Sequence, residues 1–353
     1  MGRNYKIAVI AGDGIGKEVV PEGQKVIEAA GKKYGFGVEW VEYDWNCDYY
    51  LKHGRMMPED GVEQVRDKDA IFLGAVGWPS VPDHISTWDL ILRLRRELGL
   101  YVALRPARLL KGITSPLAGR TAKDIDFVIV RENSEGEYSS AGGILYEGTP
   151  DELVIQESVY SRRATDRILR YAFDLARTRR NKVSLATKSN GIKIAMPWWD
   201  ARFAEIAAEY PDVEANKFHI DILTANFVNH PDWFDVVVGS NLFGDLLSDL
   251  GPAVAGSIGI APSGNIDPTK ANPSMFEPVH GSAPDIAGQG IANPIGQIWA
   301  GAMMLEHLGE LEAAKGIEQA IEAVLSGNGA RTRDLGGDAG TVEAGTAVAD
   351  ALA

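Results

Sequence analysis

Asp245 and Asp249 stand four residues apart in a stretch whose Leu246, Leu247 and Leu250 ask for burial. An i, i+4 spacing on a helix puts both carboxylates on one face, beside that packed interior. Two acids there without a cation repel each other and are costly to desolvate. A hard divalent cation such as Mg2+ or Mn2+ resolves the conflict, because it takes oxygen ligands and keeps positions open for substrate or water. The plain alternative is a solvated acidic helix face. Asp221, in the run His219-Ile220-Asp221, is a candidate third carboxylate, although spacing alone does not bring it near.

Arg95, Arg105 and Arg131 form a second constellation. The strand-like run Leu100 to Leu104 ends in Arg105-Pro106, and Phe127 to Val130 ends in Arg131-Glu132-Asn133. Ligands of α/β sheets gather at the carboxyl ends of strands, and arginine forks grip carboxylates bidentately. Three of them at one cleft suit a substrate with two or three carboxylates; standing alone they are surface ion pairs. Tyr138 and Lys188 are candidate acid and base, since burial and neighbouring charge bring such groups into working range.

The run Glu277-Pro278-Val279-His280-Gly281-Ser282-Ala283-Pro284-Asp285, continuing to Asn293-Pro294, is dense in turn formers and polar groups. Such a loop can wrap an adenosine, with an acid for the ribose hydroxyls that would repel the extra phosphate of NADP. Gly12-Asp13-Gly14-Ile15-Gly16-Lys17 invites two other nucleotide readings, and both fail on spacing. A Walker loop needs Gly and Ser or Thr where this chain has Ala11 and Glu18, and a dinucleotide fingerprint needs Gly at Lys17. A tight turn between the first strand and the first helix is the simpler reading.

The elements that must hold these groups alternate short apolar runs with longer amphipathic ones, which predicts an α/β fold with a largely parallel sheet. Strands are expected at Lys6 to Ala11, Ala70 to Gly74, Phe127 to Val130, Val183 to Thr187 and Val236 to Gly239. Helices are expected at Lys17 to Tyr34, Arg163 to Thr178 and Gly309 to Ser326. Another is expected at Ser86 to Leu98, capped by Ser86 with Asp89 three residues on. Ser140 to Glu152 reads as a loop or exposed hairpin arm, and Gly251 to Pro273 as a long functional loop.

With 353 residues the chain exceeds what one core usually supports, so two lobes with a cleft are expected. Its 35 basic and 49 acidic side chains leave a net charge of -14, which excludes general affinity for nucleic acid or an anionic membrane. Cys47 is the only cysteine, so no intrachain disulfide forms, and a reducing cytoplasm suits the chain. No run of 18 apolar residues occurs.

Taken in order, these residues resemble the β-decarboxylating dehydrogenases, the family of isocitrate, isopropylmalate, tartrate and D-malate dehydrogenases. The motifs are Gly12 to Gly16, Arg95 through Arg105, Arg131 to Tyr138, Lys188-Ser189-Asn190, Asn241 to Asp249, the His280 to Asn293 loop and Thr332 to Gly337. The resemblance spans essentially the whole chain. It implies the two-lobed fold of the family, which is not a Rossmann fold, with one lobe from residues 1–100 and 256–353 and the other, carrying dimer contacts and an arm, from 101–255. It also implies metal ligands Asp221, Asp245 and Asp249, and catalytic roles for Tyr138, Lys188 and Asp221. Arg95, Arg105 and Arg131 would hold substrate, and Glu277, His280, Gly281, Ser282, Ala283, Asp285 and Asn293 would hold NAD.

In that family Lys188 and Asp221 reach a site built mainly on the neighbouring subunit, so the resemblance implies a cytoplasmic homodimer with shared active sites. Asp83 through Arg95, Gly77-Trp78-Pro79 and Gly191-Ile192-Lys193 look like the tartrate/D-malate branch. The implied activity is oxidation of tartrate and oxidative decarboxylation of D-malate to pyruvate and CO2, using NAD and Mn2+ or Mg2+. A requirement for a monovalent cation such as K+ is left open. The alternatives are a 3-isopropylmalate dehydrogenase, or a family-like protein that binds dicarboxylate and metal without turnover.

Overall fold

β-Branched and aliphatic runs set the strands of the structure, a computed structural model that describes residues 3–327 and 329–352. In chain order these are β1 (Arg3–Gly12), β2 (Phe36–Glu42), β3 (Ala70–Ala75), β4 (Val102–Arg108), β5 (Asp126–Glu132) and β6 (Gly142–Leu145). They continue with β7 (Leu153–Gln156), β8 (Lys182–Thr187), β9 (Glu214–His219), β10 (Val236–Gly239), β11 (Pro262–Ile266) and β12 (Ser274–Pro278). Among the described residues β6 and β7 pair only with each other, as an antiparallel hairpin whose Ile144, Leu145 and Val154 are exposed. This is the arm expected from Ser140 onward.

The other strands make one sheet in the order β2-β1-β3-β12-β11-β4-β5-β10-β8-β9. Its flanks are parallel, as expected. Its centre is antiparallel, because β11 runs against both β12 and β4, and β4 runs against β5. Helices cover both faces, and the apolar interior divides about that centre into two lobes. Phe127, Phe173, Trp199, Phe227 and Val237 belong to one core; Ile7, Phe72, Phe276 and Ile298 belong to another, with Leu90 and Leu94 in a third beside it.

Three local expectations are corrected. Gly251 to Pro273 is not a long loop: it finishes helix Asn241–Val254 and then supplies β11, which is buried throughout. Its glycine and prolines imitate a loop, but the alternation of Ser263 and Asn265 belongs to a strand face. β4 does not stop at Arg105-Pro106 but runs on to Arg108. The helix expected from Ser86 begins earlier, at Asp83, and widens into a π-helix over Thr87–Leu92 before finishing as Arg93–Glu97. Ser86 is therefore internal and donates to the Asp83 carbonyl, while Asp89 accepts from the Met56 amide rather than closing a capping box.

Register places the polar groups. Arg131 of β5 lies opposite Ala103 of β4, which lies opposite Asn265 of β11. Arg105, two residues from Ala103, shares their face, and so does Ser263, which is opposite Glu277 of β12. Arg105, Arg131, Asn265, Ser263 and Glu277 thus line one face of the antiparallel centre.

Helix Asn241–Val254 lies down on this row, and Gly244 is what lets it come close. A Cβ there would stand 2.5 Å from the Arg131 Cβ, an overlap neither backbone can avoid without moving. Gly244→Ala is expected to cost about 1–3 kcal/mol of stability through forced separation of helix and strand. A urea unfolding midpoint equal to that of the wild type would show that the approach is looser than described.

Candidate active site

The Asn241–Val254 helix presents Asn241, Asp245, Ser248 and Asp249 at spacings that share one face. Asp245 is the junction. Its Oδ1 accepts from the Arg131 guanidinium and, at 3.4 Å, from Arg105; its Oδ2 accepts from the Tyr138 hydroxyl at 2.7 Å. Asn241 Oδ1 takes the other side of Arg131 at 2.9 and 2.6 Å, and Ser248 Oγ and Ser263 Oγ take Arg105 at 2.6 and 3.2 Å. Asp249, more exposed, lies 4.0 Å from Arg105. The arginines are buried, so their charges must be met locally.

Electrostatics follows from this packing. Burial alone would raise Asp245, but Arg131 and Arg105 overcome it and hold the carboxyl below its ordinary range. Asp249 is pushed up by partial desolvation and by the Asp245 charge, against the pull of Arg105. Burial and the bond to Asp245 push the Tyr138 phenol up, so it stays protonated at neutral pH and can act as a donor.

Arg95 joins from the other lobe. It donates to Glu277 Oε1 at 2.7 Å and to Asn133 Oδ1 at 3.3 Å, and Asn265 ties these two together, at 2.7 Å from Glu277 and 2.9 Å from Asn133. All four are buried. Arg95 and the first residue of the 277–293 loop therefore belong to one hydrogen-bonded region.

That loop is fastened at several points. The Ser282 carbonyl accepts from the Ile15 amide at 2.9 Å, and a Cβ on Gly14, whose φ is +52°, would meet that carbonyl at 2.0 Å. The Gly12 turn is thus a tight turn, as expected, and also a support for the loop. Glu18 accepts from the Gly288 and Gly290 amides at 2.6 and 2.9 Å, and Asp334 accepts from Asn293 Nδ2 at 2.9 Å. Ala283 is held at a φ of +41°. Gly281 and Asp285 are exposed, and His280 keeps a buried Nε2 that has no partner among the described residues. The buried unpaired Nε2 of His280 and the exposed carboxylate of Asp285, both on this loop, are groups that an adenosine can engage, so the loop fits NAD.

Lys188 and Asp221 are not brought to Asp245 within one chain. They pair with each other at 2.8 Å, and that bond holds Asp221 below its ordinary range. Among the described residues no three His, Cys, Asp or Glu side chains gather closely enough to hold a metal. Asp245 and Asp249 fit a divalent cation as two of its ligands, leaving the rest to come from elsewhere.

Asn241, Ser248, Ser263, Asn265, Asn133, Glu18 and Asp334 had no assigned roles from sequence. The first two were readable as neighbours of Asp245 on its helix face. Ser263 and Asn265 were hidden by the misread strand.

Stability should record the Asp245 junction. A carboxylate with a lowered folded pKa stabilises fully above its unfolded value, about pH 4, and ceases to do so as pH falls through the folded value. The metal-free protein is expected to weaken as pH drops below about 4. Asp245→Asn should cost about 1–3 kcal/mol at neutral pH and show a shallower acid slope, read from urea midpoints across pH. Parallel curves would remove Asp245 as the source.

Residues 6–349 match the model of the isocitrate/isopropylmalate dehydrogenase family. The chain is 56% identical to the tartrate dehydrogenase/decarboxylase of Pseudomonas putida, over 99% of this chain and 98% of that one. It is also 56% identical to the D-malate dehydrogenase (decarboxylating) of Escherichia coli K12, over 100% and 98%. Among solved structures, isocitrate dehydrogenase from Methylococcus capsulatus superposes with a TM-score of 0.89 at 37% identity, covering 99% of each chain. With this match over nearly the whole chain and a shared fold, the chain belongs to the isocitrate/isopropylmalate dehydrogenase family.

Proposed function

We propose that this chain is an NAD- and divalent-metal-dependent dehydrogenase that oxidises tartrate and oxidatively decarboxylates D-malate to pyruvate and CO2. The observation that carries the reading is the convergence of Arg105, Arg131 and Tyr138 on Asp245, with Asp249 near Arg105 and a third buried arginine, Arg95, paired with Glu277. Relatives named for both activities, at 56% identity over nearly the full chain, favour this branch over isopropylmalate.

Bound NAD would supply the hydride acceptor, and a Mn2+ or Mg2+ ion would supply the charge that polarises the substrate's oxygens. Asp245 and Asp249 would hold the ion, with Asp221 completing its carboxylates. Arg95, Arg105 and Arg131 hold the substrate carboxylates and stabilise negative charge as it develops. Lys188 takes the proton of the 2-hydroxyl. After CO2 leaves, Tyr138, already protonated, gives its proton to the carbon. Glu277, His280, Gly281, Ser282, Ala283, Asp285 and Asn293 would cradle NAD, with the Asp285 carboxylate toward the ribose hydroxyls.

The separation of the Lys188–Asp221 pair from Asp245 supports a homodimer in which these two serve the partner's site. So do the exposed Ile222 beside Asp221, Leu242 and Leu246 beside Asp245, and the apolar arm residues. The division of the cores supports lobes that separate near residues 100 and 255, with Leu110 and Ile266 packing across that division. The unpaired Cys47 suits a cytoplasmic setting; among the described residues, no helix is long and apolar enough to cross a membrane.

NADH formation at 340 nm tests the reading, with D-malate, tartrate isomers, 3-isopropylmalate and isocitrate offered in parallel. Turnover of D-malate and tartrate that a chelator abolishes is expected, and a far higher kcat/KM for 3-isopropylmalate would overturn the branch. Asp249→Ala should remove metal-dependent turnover, by at least about a hundredfold. Lys188→Ala and Asp245→Asn, each inactive alone, should regain about a quarter of wild-type activity when unfolded and refolded together, because half the dimers are mixed and each mixed dimer holds one intact site. No recovery would overturn the shared site.

A further inference from the structure

Tyr138 is fixed at more than its hydroxyl. Its ring lies under the Arg131 guanidinium, 5.2 Å from centre to carbon, and its main-chain carbonyl accepts from Arg96. Arg96 belongs to the Arg93–Glu97 helix, whose Leu94 packs in a core of the other lobe. Its guanidinium also stacks 4.3 Å from the Trp88 ring. Glu137, one residue earlier, is bonded to Ser240 at 2.9 Å and to the Leu242 amide at 3.0 Å, so it pins the chain to the helix that carries Asp245. The peptide plane following Tyr138 is set from the opposite side, by Arg96.

The π-helix makes this arrangement possible. In an uninterrupted α-helix, residues eight apart lie roughly 80° around the axis from each other. A π turn absorbs one residue, so Trp88 and Arg96 take the relation of i and i+7 and share a face. Stacked on Trp88, the fork of Arg96 loses little further freedom in reaching the Tyr138 carbonyl.

We propose that Arg96, braced by Trp88, is a positioning residue for Tyr138, holding the proton donor in place from the opposite lobe. The proposal rests on the function proposed above and specifies which step depends on the brace. In that step the Tyr138 O–H bond breaks as a C–H bond forms at the carbon that has lost CO2, and water returns a proton to the phenolate. Oxidation of tartrate without loss of CO2 has no such step. Arg96 therefore matters for decarboxylating turnover and not for hydride transfer as such.

The test compares Arg96→Met, Arg96→Lys and Trp88→Leu with wild type on D-malate and on a tartrate isomer that wild type oxidises without releasing CO2. Arg96→Met and Trp88→Leu are expected to lower kcat for D-malate about tenfold, with KM within about twofold, while tartrate oxidation falls no more than about twofold. Arg96→Lys, which keeps the charge but loses the planar fork, should fall between. Tartrate oxidation in the same preparations reports that the variants are folded. Amide hydrogen exchange over residues 134–141 of the metal-free protein should quicken in Arg96→Met, a readout independent of turnover. Equal losses on both substrates in Arg96→Met and Trp88→Leu, a change confined to KM, or unaltered exchange would each overturn the proposal. Failure of wild type to turn over either substrate would count instead against the proposed function.

Discussion

Two buried arginines need a negative charge, and the fold supplies it from a helix that sits unusually close. Arg105 and Arg131 are diagonal neighbours on one face of β4 and β5, where neither is solvated and both carry like charge. Asp245 answers both at once, and its second oxygen takes the Tyr138 hydroxyl. This requires helix Asn241–Val254 to rest on the strands at the distance Gly244 allows. One residue without a side chain thus underlies the electrostatic balance of the site.

The antiparallel centre of the sheet does the rest of the gathering. In an all-parallel sheet the carboxyl ends of the strands would be the meeting place. Here β11 and β4 run against their neighbours, so Glu277, Ser263, Arg105 and Arg131 come together by register on a sheet face rather than at an edge. Glu277 opens the loop that Glu18 and Asp334 fasten, and it also holds Arg95. Arg95 and the start of that loop consequently share one buried hydrogen-bond network, Arg95-Glu277-Asn265-Asn133, in which a change at one member is felt by the others.

Much of this was legible in the sequence, and what was not has identifiable causes. Asp245 and Asp249 were readable because helical spacing is local, and the parallel strands because continuous apolar runs are distinctive. β11 was missed because Pro262, Gly264 and the glycines before it outweigh a five-residue strand in any local reading. The start of the 83–97 helix was misplaced because Ser86 and Asp89 imitate a capping box, whereas the helix already begins at Asp83 and both side chains have other partners. On the proposed shared-site homodimer, the absence of Lys188 and Asp221 from the Asp245 junction is of another kind: no intrachain pattern carries information about which copy a residue serves.

Charge balance constrains what the cleft can accept. Arg95, Arg105 and Arg131 face Glu277, Asp245 and Asp249, so three cations meet three anions before any ligand arrives. A divalent cation alone would leave an excess of two positive charges in a partly desolvated site, and a dicarboxylate alone an excess of two negative ones. Either imbalance is expensive where the effective dielectric is low. Bound together they restore neutrality, and each pays part of the other's cost. This balance supports the proposed pairing of a divalent metal with a substrate of two carboxylates, in which the arginines proposed to clamp the substrate would also set the terms on which the metal binds.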